Sequence, residues 1–111
     1  MNVEELAQAQ LDAYNAGDIE AFLKPYSPQI ELFLQSTGER FCRGLDEMRE
    51  RYEPFFKNNP QLHCKLLSRI IQGDFAIDQE HVTGLADGRE MYAIAIYECE
   101  DGLIRKAWFI K

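Results

Sequence analysis

The sequence predicts an α+β fold, with three N-terminal helices packed on one face of a strongly curved mixed or antiparallel sheet. Two observations carry this expectation. Apolar residues recur at helical spacing over residues 3–16, again around Ile19–Leu23, and a third time between Leu45 and Phe56. From Leu62 onward the hydrophobic period shortens to two, and Gly73-Asp74, Ala86-Asp87-Gly88 and Asp101-Gly102 divide the rest as hairpin turns.

The elements follow in order. Residues 3–16 place Val3, Leu6, Ala7, Gln10, Ala13 and Tyr14 on one helical face, and Gly17 suits the left-handed residue that ends a helix. Asp18 is an N-cap for a second, short helix carrying Ile19, Phe22, Leu23 and Tyr26, stopped by Pro25 and Pro28. Ile30–Leu34 reads as a strand, Ser36–Glu39 as its turn and Arg40–Arg43 as a short return strand. Leu45, Met48, Tyr52, Phe55 and Phe56 mark the third helix, whose polar face includes an expected Glu47–Arg51 pair one turn apart. Four strands are then expected at Leu62–Ile71, Phe75–Thr83, Arg89–Cys99 and Leu103–Ile110.

With 111 residues, 46% of them hydrophobic and 28% charged, the chain is expected to form one domain over 1–111. Scaling rules bury about two-thirds of the unfolded surface at this size, which is enough for one core. Nineteen acids against twelve bases give a net charge of −7, which argues against nucleic acid and anionic membranes as partners, since both call for a basic surface. The N-terminus opens on acids without an apolar leader core, and no apolar run is long enough to span a bilayer. Cys42, Cys64 and Cys99 are odd in number and far apart, as reduced, core-filling thiols would be, so a cytoplasmic location is expected. No metal-ligand spacing, phosphate loop, dinucleotide fingerprint or nucleophile elbow is present, and no cofactor is expected.

The later strands are apolar on both faces. Tyr92, Ile94 and Ile96 alternate with Met91, Ala93, Ala95 and Tyr97, and Ile104, Trp108 and Ile110 with Leu103, Ala107 and Phe109. An antiparallel sheet with one wet face alternates apolar with polar residues. The second apolar face is therefore expected to be covered by another copy of the chain, giving a homodimer through the sheet.

Ala13-Tyr14-Asn15-Ala16-Gly17-Asp18-Ile19-Glu20-Ala21-Phe22, the Arg43-Gly44 entry to the third helix and Asp101-Gly102-Leu103-Ile104 together resemble the nuclear transport factor 2-like superfamily, of cystatin-like fold. The resemblance spans the chain and points to its SnoaL-like and ketosteroid-isomerase-like branch. It implies a cone with an internal pocket, and dimers are common among such proteins. Ketosteroid isomerases use a base carboxylate and two oxyanion donors. By ungapped counting, Gln10 stands at the donor tyrosine's place and Leu34 at the base's; Ala95 falls near the second donor's. Leucine and alanine move no protons, so the resemblance does not carry isomerase activity to this chain.

The residues themselves suggest a cavity. Gln10 interrupts an apolar stripe, and a buried amide needs either partners in the fold or a ligand. Tyr14 and Tyr52 share inward stripes, and Ala93 and Ala95, continued by Tyr97, are small where a filled core favours larger side chains. With Leu34 these form the expected ligand pocket. On the strand Phe75–Thr83, alternation puts Asp78 with Ala76, Glu80 and Val82, and His81 with Phe75, Ile77 and Thr83. Asp78 and His81 are the candidate bases, one from each face. His63 falls in step with Lys65 and Arg69 on a polar face. Three function classes remain open: a cone binding a small, mainly apolar or cyclic molecule; an enzyme of isomerase, cyclase or hydrolase type using acid–base chemistry; and a dimeric interaction module without a ligand.

Overall fold

Helix α1 (Val3–Ala16) begins at a reciprocal cap. The Glu5 backbone N–H donates to Asn2 Oδ1 at 2.9 Å, and the Asn2 N–H donates to Glu5 Oε1 at 3.0 Å. It ends at Gly17, whose φ of 65° lies in the left-handed region. Asp18 caps α2 (Ile19–Leu23) by accepting the Ala21 N–H. A computed structural model describes residues 1–111 and continues through β1 (Tyr26–Leu34), β2 (Arg40–Arg43), α3 (Gly44–Asn58), β3 (His63–Gln72), β4 (Phe75–Thr83), β5 (Met91–Glu100) and β6 (Leu103–Ile110).

The six strands form one sheet in the order β2-β1-β6-β5-β4-β3. Every pairing is antiparallel except β1 with β6, so the sheet is mixed and the fold is α+β, three helices on a six-stranded sheet. Three expectations about elements change. Tyr26 does not belong to the second helix: Pro25 has no N–H to extend the helical ladder, and Tyr26 opens β1 opposite Ile104. That strand therefore starts four residues before Ile30, and its pairing with β6 is interrupted between Tyr26 and Glu31, where Pro28 lies. The Glu47–Arg51 pair does not form. Glu47 Oε1 instead accepts the Arg43 N–H at 2.8 Å, tying down the start of α3 and leaving Arg51 free.

Two bulges change which face a residue takes. Along β3 and β4, Leu66 sits opposite Glu80 but Ser68 sits opposite Gln79, so Leu67 is an extra residue in β3. Arg69 is thereby moved off the polar face of His63 and Lys65 and turned inward, opposite Asp78. Along β5 and β6, Glu98 faces Lys106 and Cys99 faces Ile104, leaving Arg105 as the extra residue. Ile104 is for that reason fully buried rather than sharing the outward face of Trp108. Bulges also increase local twist, which helps wrap the sheet around the helices.

The core fills the concave side. Phe22 is at its centre, with the rings of Tyr26, Tyr52 and Phe56 at 4.9–5.3 Å between centroids. Cys42 and Cys64 are buried in it, and Cys99 packs against it half-buried. The Asn15 amide ties α1 to the sheet, accepting the Cys64 N–H at 2.7 Å and donating to the Cys64 carbonyl at 3.0 Å. No helix is long and apolar enough to cross a membrane.

Candidate functional site

Between the helices and the concave face of the sheet lies a cavity of about 340 Å³, within the usual range for small-molecule sites. All nine elements contribute to its wall, and fourteen of its eighteen lining residues are hydrophobic. Short side chains help keep it open: Ala93 lines it from β5, where a larger inward residue would occupy the space. Gln10, Tyr14, Leu34, Tyr52 and Tyr97 also line it, Leu34 at the place that the family resemblance suggests and the others where the hydrophobic pattern points. Ala95 does not. It is fully buried opposite Asp78, beyond the cavity wall, so its small size accommodates packing and not a vacant space.

The polar groups of the wall are few and mostly neutral. Gln10 finds partners in the fold, its amide donating to the Ala7 carbonyl at 2.9 Å and its carbonyl accepting the Tyr26 hydroxyl at 3.2 Å. Burial pushes the Tyr52 phenol up to about 12 and raises those of Tyr14, Tyr26 and Tyr97 further. These tyrosines are therefore neutral hydrogen-bonding groups at physiological pH.

Glu80 is the one carboxyl of the wall. It is 8% exposed and, with Val82, is presented inward from β4 by strict alternation. Its carboxyl is pushed up to about 7, chiefly because burial penalises the charged form and next because Asp78 is nearby. The Cys64 thiol, Arg69 and Lys111 pull in the opposite direction. A carboxyl titrating near neutrality inside an apolar cavity is equipped to take up or release a proton. The sequence offered one signal for it, an acid sharing a strand face with Ala76 and Val82, but Asp78 carried the same signal.

Neither candidate base reaches the cavity. Asp78 is 0% exposed and held in a fork: Arg69 Nε donates to Oδ1 at 2.7 Å and Nη2 to Oδ2 at 2.9 Å, while Nη1 donates to Gln8 Oε1 at 2.9 Å. Both its oxygens are engaged, and it is not part of the cavity wall. His81 lies on the opposite side of the sheet, in register with Lys65 and Tyr92. Its ring stacks on that of Tyr92 at 4.3 Å and 3° between planes. Its Nε2 is buried without a hydrogen bond, with Glu90 Oε2 3.7 Å away. His63 is exposed at the start of β3.

Two cations also line the cavity, Arg51 from α3 and Lys111 after β6. Both are exposed, which places them where the cavity meets solvent.

Residues 7–107 match the family model of the SnoaL-like domain. No curated protein matches the chain. Among solved structures, it is similar to an uncharacterised cystatin-fold protein from Novosphingobium aromaticivorans, at 24% identity and a TM-score of 0.89, covering 100% of this chain and 99% of that one. It is similar to a nuclear transport factor 2-like protein of unknown function from Cytophaga hutchinsonii, at 13% identity and a TM-score of 0.82, covering 99% and 89%. A candidate SnoaL-like polyketide cyclase from Jannaschia is similar at 13% identity and a TM-score of 0.79, covering 97% and 83%. At such identities the likeness establishes the architecture and leaves the chemistry to the side chains. The family model covers nearly the whole chain, including most of the residues that enclose the cavity, and the chain belongs to the SnoaL-like domain family.

Proposed function

We propose that this chain binds a small, mainly apolar molecule in the cavity of its cone. The observation that carries the reading is an unfilled, apolar space of about 340 Å³ whose few polar groups converge from different elements. Gln10 and the four tyrosines offer hydrogen bonds at fixed positions, and the aromatic wall offers shape. Ala93→Trp should fill this space without removing any core contact. Titration calorimetry with the uncharged probe 2-naphthamide is expected to show binding to the parent protein and none to the folded Ala93→Trp variant. Absence of binding to the parent, or equal binding to both, would sink the reading.

A second reading, an enzyme working by acid–base chemistry, is favoured by Glu80. With its carboxyl near pH 7 it accepts a proton from an acidic C–H or O–H of the bound molecule, and neutral tyrosine hydroxyls hydrogen-bond the oxygen on which charge develops. A turnover found by substrate screening should rise with pH through about 7 if Glu80 is the base, and Glu80→Gln should remove it. A rate left intact in Glu80→Gln would exclude this residue.

We also propose that two copies pair through the outer face of the sheet. Tyr92 and Ile70 are 65% and 62% exposed there, with Leu67, Phe75 and Ile110 also exposed. Trp108 adds to the patch, stacked on Phe33 at 5.7 Å. Contiguous apolar surface of this kind is characteristic of an interface. Sedimentation velocity should give twice the chain mass, and Ile70→Glu should give the monomer. A monomeric parent protein at micromolar concentration would refute the pairing.

A further inference from the structure

We propose that the molecule bound in the cavity carries a carboxylate, held at the cavity mouth by Arg51 and Lys111 while its apolar body occupies the interior. The inference rests on the binding reading above and adds the charge of the ligand. The chain has a net charge of −7, yet the exposed edge of its cavity bears two cations, and neither is within ion-pair distance of any acid.

Arg51 had an available partner on its own helix. Glu47, one turn before it, uses its carboxylate on the Arg43 N–H instead, so the guanidinium turns over the Phe41 ring, 4.6 Å from its centroid. Lys111 is arranged alike: its Nζ lies 5.8 Å from the centroid of Phe109. Phe41 and Phe109 both line the cavity and are 6.1 Å apart, so the two cations rest on one aromatic ledge at its edge. Cation–π contact orients both groups but leaves their donors unused. Two like charges held together weaken each other, and the ammonium of Lys111, although the residue is exposed, is easier to deprotonate than usual, because surrounding protein atoms take away part of its hydration first and Arg51 repels it second. An anion between them relieves that repulsion and takes charge-assisted hydrogen bonds from both.

The one acid in the cavity wall is Glu80. Burial pushes its carboxyl up to about 7, so it is only partly ionised at neutral pH, and it makes no ion pair with Lys111. The apolar lining behind the ledge suits a ring or short hydrocarbon body. An aromatic or aliphatic monocarboxylate satisfies both parts of the site.

The test compares 2-naphthoate with its uncharged amide, 2-naphthamide, by titration calorimetry. The parent protein is expected to bind 2-naphthoate at least ten-fold more tightly than the amide at low salt, the gap narrowing as salt is raised. Arg51→Gln and Lys111→Gln, both at exposed positions, should each weaken 2-naphthoate several-fold and leave 2-naphthamide within two-fold. Equal affinity for the acid and the amide would overturn the carboxylate inference while leaving the binding reading intact. Binding of neither probe would overturn both. Equal losses for both probes in Arg51→Gln would assign that residue to the shape of the cavity and reject the charge argument.

Discussion

Asp78 and Glu80 lie two residues apart on the same face of β4, both turned into the protein, and their surroundings differ completely. At the Asp78 end the cone is closed: Arg69 and Gln8 occupy the space in front of the carboxylate, and Ala95 seals the side toward β5. At the Glu80 end the cone is hollow, and the carboxyl faces tyrosines and an unfilled cavity. The first acid is forked by a guanidinium. The second, with no such partner, is pushed up to about 7 by burial first and the nearby Asp78 second. One strand thus presents a structural charge and a chemically available one, and the partner across the sheet decides which is which.

The largest effect should come from removing the partner at the closed end. Arg69→Met leaves Asp78 buried and uncompensated, which costs about 3–5 kcal/mol of folding stability. Replacing both residues, Arg69→Met with Asp78→Val, should recover most of that loss, because no buried charge then remains. Urea denaturation measures both variants. A loss below about 1 kcal/mol in Arg69→Met would show that water reaches Asp78 and that the two ends are not distinct.

Glu80 gives the next largest effect, and it depends on pH. Its carboxyl titrates at about 7 in the folded chain against 4.5 for the unperturbed group, so between these values the folded state holds a proton that the unfolded state has released. Stability attributable to Glu80 is greatest below 4.5, falls as pH rises through the window, and is about 3 kcal/mol lower above 7. Glu80→Gln should abolish this slope and exceed the parent in stability at pH 8 by up to that amount. The parent-minus-variant difference, followed by denaturation at several pH values, isolates it from other titrating groups. A difference that does not change between pH 4.5 and 8 would mean that Glu80 is solvated like a surface acid.

This contrast between the two acids was out of reach of the sequence for an identifiable reason. Alternation correctly separated Asp78 and Glu80 from His81, and helical spacing correctly brought Gln10, Tyr14 and Tyr52 to the side that became the cavity. The same alternation put Arg69 outward with Lys65. The extra residue Leu67 breaks the count between Leu66 and Ser68, and only after that slip does Arg69 meet Asp78. Nothing in Leu66-Leu67-Ser68 marks a bulge, since no glycine or proline is there. The fold class survives such a slip because it depends on the order of elements. The chemistry does not survive it, because it depends on which two side chains face each other. Asp78 and Glu80 therefore looked equivalent until the register of β3 was known.

The smallest effect tests whether the hollow end tolerates a lost partner. Tyr26 donates to the Gln10 carbonyl at 3.2 Å, and both residues line the cavity. In Tyr26→Phe the carbonyl loses its donor, but the cavity beside it has room for water, which replaces the hydrogen bond at small cost. The expected loss is about 1 kcal/mol, the ordinary net worth of a neutral hydrogen bond, and well below that of Arg69→Met. Thermal and urea unfolding of the two variants side by side give the comparison. A Tyr26→Phe loss approaching that of Arg69→Met would mean that the cavity excludes water as firmly as the closed end does. Glu80 would then be kept neutral by a dry wall, and an incoming ligand would meet an apolar interior instead of displacing solvent.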